Sequence, residues 1–295
     1  MKNTIVYLCY GSVDYFNETL FSLLSFYNHH KNSTIEIVIY TTGSAIFKKK
    51  IPFPIHLVDI DLVQIKIWSG ANGYNHRAKI KILEDITSKQ YGNFLFVDSD
   101  TVFMQNCEAL FAEIEKGTLI ADKCEGNLAN NKGGIAKKLN RFFKTQNHFS
   151  TSFEDSIIFD NQFEVWNTGT IGINTKDKSI LLKVTALIDV LYQKFPLFVM
   201  EQIGFSYYFQ TFKKPISSAN FIHHYWYFKE FRTVLKDFFT HHHYKSFNEL
   251  VIESTKINPE FLSLEKQKYK AMTFWQKQFQ KITTGRKWKI MDYEL

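Results

Sequence analysis

The chain has 295 residues, 45% of them hydrophobic, 22% charged and 17% aromatic, a composition that excludes disordered and fibrous classes. Only 13 Gly and 5 Pro occur, so long flexible linkers are not expected. The net charge of +7 is concentrated near one end, where eight Lys and Arg oppose three acids from Leu264 to Leu295. A nucleic-acid binder would be basic along a whole groove, so that class is set aside in favour of a basic tail.

In chain order, Ile5–Tyr10 is a β-forming run that stops at Gly11-Ser12, a turn signal. Tyr15–Tyr27 follows with apolar residues at helical spacing. Ile35–Tyr40 and Ile55–Ile60 read as strands, Ala78–Ile86 as a helix, and Phe94–Val97 as a strand buried on both faces. Strands alternating with helices predict an α/β fold with a mostly parallel central sheet. Cys124 to Lys138, rich in Gly and Asn, reads as loop. Ile157–Phe159 and Thr170–Ile173 are further strands, and Ser179–Lys194 is a helix. Beyond residue 236 the pattern is helical and basic, which divides the chain into a catalytic domain over 1–240 and a helical extension over 241–295.

Three scattered cysteines, Cys9, Cys107 and Cys124, make no CxxC pair, so neither a disulfide framework nor a cysteine zinc site is expected. The pattern suggests a reducing compartment. No apolar stretch approaches the ~20 residues that span a bilayer, which predicts a cytoplasmic protein, with peripheral attachment to the inner face of a membrane left open.

The strongest local signal is Phe94-Leu95-Phe96-Val97-Asp98-Ser99-Asp100, a buried strand running into two carboxylates around one small residue. Ligands of open α/β sheets bind at such strand ends. Two acids there need a neutralising cation, and a divalent ion supplies it with open positions for phosphate oxygens. Asn167-Thr168-Gly169 pairs an amide with a glycine that permits close approach. Glu201-Gln202 opens a helix, where its acid would also suit the helix dipole. His223-His224 offers an imidazole as a third metal ligand. Arg77 and Lys81, four apart, share a helix face and would pair with Asp98 or a phosphate. His241-His242-His243 reads as surface.

Taken in this order, the motifs resemble those of the GT-A glycosyltransferases, nearest to family 8, the glycogenin and lipooligosaccharide galactosyltransferase type. The resemblance covers roughly residues 3–230. It implies a single Rossmann-like nucleotide-sugar domain in which Tyr7, Tyr10 and Gly11 face base and ribose, and Asp98-Ser99-Asp100 is the Asp-x-Asp motif. Asp98, Asp100 and His223 or His224 would then hold Mn2+ or Mg2+. Asn167, Glu201 and Gln202 would act at the donor sugar, and Ala121-Asp122 would face the acceptor. Glu201 replaces the family's Asp, and Tyr225–Glu230 replaces its His-x-x-Gly and Lys-Pro-Trp stretch.

The implied reaction is transfer of a hexosyl group from a nucleotide-diphosphate sugar, by default a UDP-sugar, to a glycan or lipid-linked glycan of the cell surface. Configuration is retained in family 8; an inverting reaction would use Glu201 or Asp122 as general base. Two alternatives stand beside it. One is a GT-A-like binding or scaffold protein without activity. The other is a haloacid-dehalogenase-type phosphatase, which needs a downstream Asp-Asp or Gly-Asp that this chain does not contain. From Phe261 on, aromatic residues such as Trp275 and Phe279 among lysines suit an anionic membrane surface, packing on the catalytic domain, or a homodimer contact.

Overall fold

The computed structural model describes residues 1–131 and 133–294. β1 (Lys2–Cys9) leads through Ser12, whose hydroxyl accepts from the Asp14 N–H, into the long helix α1 (Val13–His29). β2 (Glu36–Thr41), β3 (His56–Asp59), β4 (Gly92–Val97), β5 (Thr101–Phe103) and β6 (Ile120–Ala121) follow. The central sheet has seven strands in the order Ile216–Ser217, β6, Thr170–Asn174, β4, β1, β2, β3. β1 runs parallel to β2 and β4, and β2 parallel to β3. Thr170–Asn174 is antiparallel to both its neighbours, β4 and β6. The chain is therefore α/β with a mostly parallel sheet, as the alternation of strand and helix patterns predicts.

Because side chains alternate along a strand, the sheet feeds two apolar layers. Ile5, Tyr7, Cys9, Leu95 and Val97 face one layer, closed by α1 and the helix Phe231–His241. Val6, Phe94 and Phe96 face the other, closed by the helices Arg77–Lys89, Ser179–Lys194 and Met200–Phe212. Helix on both faces explains why β4 is buried along its whole length.

Two local expectations are corrected. The stretch from Cys124 to Lys138 contains a short strand, Cys124–Asn127, and the start of a helix, Gly134–Thr145. Its Gly and Asn occupy the connection, while Ile135, Ala136, Leu139 and Phe143 already repeat at helical spacing. His242 is 3% exposed rather than a surface residue, its ring packed edge-on against Phe238.

Past residue 240, Phe247, Leu250, Val251, Ile257 and Leu262 join the same apolar layer as α1. The later helices Leu264–Ala271 and Phe274–Thr284 bury no residue. Among the described residues no helix is long and apolar enough to cross a membrane. Cys9 and Cys107 are buried and Cys124 is exposed; burial pushes the two inner thiols up to about 12.

Candidate functional site

The site forms where β4 ends. Asp98 donates its N–H to the Gly169 carbonyl at 2.8 Å, which ties the Asp-x-Asp turn to the Asn167-Thr168-Gly169 segment. The strand Ile222–His224 pairs antiparallel with β5, His224 opposite Thr101. Tyr225 extends that pairing with an N–H bond of 3.0 Å to the Asp100 carbonyl. Backbone pairing thus brings the late histidine beside the acids. Ligand atoms of Asp98, Asp100 and His224 all lie within 4.8 Å of one another.

His224 Nε2 is 3.2 Å from Asp100 and 3.8 Å from Asp98. Its Nδ1 is 3.0 Å from Asp122 and 3.1 Å from the Asn167 Oδ1. The ring lies flat against Gly169, where an added Cβ would stand 2.0 Å from Nδ1. That close approach is what the glycine provides. His223, the other candidate ligand, faces Tyr227 instead, 3.4 Å away.

Lysines balance the buried carboxylates. Lys79 Nζ donates to Asp98 (3.0 Å) and the Thr168 carbonyl (2.9 Å) and lies 3.6 Å from Glu201. Lys229 Nζ is 2.7 Å from Asp100. Burial opposes ionisation of Asp100, but His224 and then Lys229 outweigh it and hold its carboxyl well below the usual range. Burial likewise opposes a charge on His224, yet Asp100 and Asp122 raise it to about 10. Glu201, 2% exposed, is pushed up to about 7 by burial, only partly offset by Lys79.

The chemistry of the donor set fits a divalent ion: two carboxylate oxygens and one imidazole nitrogen suit Mn2+ or Mg2+. In front of it opens a cleft of ≈ 1060 Å³ lined by Tyr10, Gly11, Ser99, Asn167, Glu201 and Gln202, among others. The cleft is large enough for a nucleotide-sized ligand and more.

Other candidates lie elsewhere. Tyr7 is on the opposite strand face from Leu8 and Tyr10, in the core, with its hydroxyl 2.9 Å from Ser22. Arg77 is held by Asp189 and the Trp68 carbonyl, and Lys81 by Glu84. The cation on Asp98 is therefore Lys79, not Arg77 or Lys81. Asp122 is 2% exposed, lies outside the cleft lining and contacts His224.

Lys79 has a legible signal: it falls on the apolar stripe of its helix with Ile82, Leu83 and Ile86, where a lysine is out of place without an acid. Lys229 and the Glu18–Arg232 pair, 2.9 Å apart, have none. Arg232 and Tyr15 line the same cleft, with the guanidinium 4.8 Å over the Tyr15 ring.

No family model and no curated protein matches this chain. Among solved structures it is similar to the bifunctional glycosyltransferase WbbM (13% identity, TM-score 0.42), covering 70% of this chain and 37% of that one. It is also similar to the galactosyltransferase LgtC bound to donor and acceptor sugar analogues (12%, TM-score 0.43), covering 65% of this chain and 64% of that one. A third is the glycosyltransferase GlyE of Streptococcus pneumoniae (16%, TM-score 0.43), covering 74% of this chain and 46% of that one. The chain thus spans between 37% and 64% of the length of these three.

Proposed function

We propose that this chain is a metal-dependent glycosyltransferase of the GT-A type. It would move a hexosyl group from a nucleotide-diphosphate sugar, uridine-linked, to a glycan or glycolipid hydroxyl. The observation that carries the reading is the convergence of Asp98, Asp100 and His224 at the end of β4, facing the large cleft. Asp98, Asp100 and His224 would hold a divalent cation, which when bound neutralises the diphosphate leaving group as a Lewis acid.

The chain's own residues do the rest. Lys229 is half-exposed on a flexible stem beside Asp100 and adds positive charge where the phosphates would lie. Arg232, held by Glu18, adds more. Tyr10 and Gly11 give the base and ribose an aromatic face and open backbone at the end of β1. Glu201 is hemmed in by Thr168 (2.9 Å) and Lys79, which suits holding the donor sugar and stabilising positive charge at its anomeric carbon. It does not suit reaching for an acceptor proton, which favours a reaction that retains the donor's configuration.

The test is donor hydrolysis with a panel of nucleotide sugars, in Mn2+, in EDTA and with Asp100→Asn. Nucleotide diphosphate is released from one donor only with metal, and the variant loses this. Neither cleavage nor metal-dependent binding of any donor would leave the scaffold reading in its place.

The tail extends the proposal to a membrane. On the helix Phe274–Thr284, Trp275, Phe279 and Ile282 share one face and are 79%, 69% and 82% exposed. Lys277 and Lys281 lie on the other side. Lys270, just before this helix, sits 5.9 Å over Trp226, a residue of the cleft. An aromatic face flanked by lysines suits an anionic lipid surface, which would bring the cleft to a lipid-linked acceptor. Cosedimentation with vesicles containing anionic lipid is the measurement; protein left wholly in the supernatant sinks this extension.

A further inference from the structure

His224 has two ring nitrogens, and only one can serve the acids in front of it. Its Nε2 looks toward Asp100 and Asp98. Its Nδ1 looks at Asp122 Oδ2 and Asn167 Oδ1, 3.0 and 3.1 Å away. The orientation of the Asn167 amide is fixed from both ends. Its oxygen accepts the Gly169 N–H at 2.9 Å, and its nitrogen donates to Glu125 at 2.9 Å. Nδ1 therefore faces two acceptors and no donor, so it carries the hydrogen.

Asp122 is itself held on both sides. Its N–H donates to the Asn167 carbonyl at 3.0 Å, and its own carbonyl accepts from Ser217 at 2.5 Å. It does not line the cleft, and its one side-chain partner is the histidine among the described residues.

We infer that Asp122, seconded by Asn167, is a positioning residue. It fixes the tautomer and ring orientation of His224 so that the Nε2 lone pair is presented as the third ligand of a divalent cation. A carboxylate on the far nitrogen of a ligating imidazole fixes its orientation and increases its basicity, and losing such a partner typically weakens metal affinity about 10–100-fold. This rests on the metal-binding reading above and assigns Asp122 a role other than contact with an acceptor.

The test needs no donor or acceptor. Mn2+ is titrated into the purified full chain by calorimetry, and Asp122→Asn, which keeps size and removes charge, is compared. The expected result is affinity weakened about 10–100-fold in a variant that remains folded in EDTA by circular dichroism. Equal affinity in wild type and variant overturns the inference while leaving the metal reading intact; no Mn2+ binding by wild type overturns both. Should the variant fail to fold, ¹⁵N spectra of histidine-labelled wild type with Mg2+, assigned by His224→Gln, decide instead. A protonated Nδ1 and bare Nε2 support the inference, and the reverse tautomer ends it.

Discussion

The end of the central sheet and the last helices treat charge in opposite ways. At the sheet end, Asp98, Asp100, Asp122 and Glu201 are each met by Lys79, Lys229 or His224 within 3.6 Å, largely out of water. In the segment after Leu262, the lysines mostly face solvent, and Trp275, Phe279 and Ile282 are left uncovered. Unpaired charge is costly in a dry interior and cheap at the surface. The first region is consequently fixed in geometry, because removing one member strands the others. In the second, Trp288, Ile290, Met291 and Tyr293 still pack on the layer of α1, but the exposed face of the helix Phe274–Thr284 contributes nothing to the core.

Substitutions can break this contrast. The broadest effect, on fold and metal site together, is expected from Gly169→Ala, whose new Cβ would collide with a ring that Asp122 and Asn167 hold in place. Overpacking of this kind costs about 1–3 kcal/mol, and displacing His224 should weaken Mn2+ binding by more than about 10-fold. Chemical denaturation and calorimetry read both. An alanine variant with wild-type stability and affinity would mean that the ring is not held as described.

Next comes Glu201→Gln. Burial raises the pKa of this carboxyl from 4.5 to about 7 in the folded chain. The folded state then holds that proton more tightly than the unfolded one. Its contribution is fully present below pH 4.5 and is lost as pH rises through 7. Each tenfold gain in proton affinity corresponds to about 1.4 kcal/mol, so a decline on the order of 3 kcal/mol is expected across this window. In EDTA, urea unfolding at pH 5 and pH 8 should show that the glutamine variant lacks this decline. Parallel pH dependence in both proteins would argue that Lys79 neutralises Glu201 fully.

The smallest effect on the fold belongs to the combined Trp275→Ser, Phe279→Ser and Ile282→Ser variant. Its unfolding free energy should stay within about 0.5 kcal/mol of wild type, as for other exposed positions. Its cosedimentation with anionic vesicles should nevertheless disappear. A marked loss of stability would show that this helix is part of the packed body and would erase the contrast.

The fold is legible where residues are periodic. The run Phe94–Val97 reads as a doubly buried strand, and the end of that strand as the place for two acids. What stays hidden depends on pairing across long sequence distances. Only the register of Ile222–His224 against β5 separates His224 from His223, since adjacent residues point to opposite sides of a strand. Only the family resemblance, not the residues around it, singles out Asp122, and its 3.0 Å contact with His224 is visible in the structure alone. Arg77 and Lys81 stand out for sharing a helix face, but Arg77 is taken by Asp189 and Lys81 by Glu84 one turn along its own helix. The buried face carries Lys79, a misfit on an apolar stripe.

The three cysteines offer a practical handle. Cys9 and Cys107 are enclosed and held as neutral thiols, whereas Cys124 is exposed and immediately precedes Glu125, a residue of the cleft. A maleimide dye added to the native chain would therefore attach at a single position, one residue from the cleft wall. Changes in its emission would then follow occupancy of the cleft in real time, before any substrate has been identified.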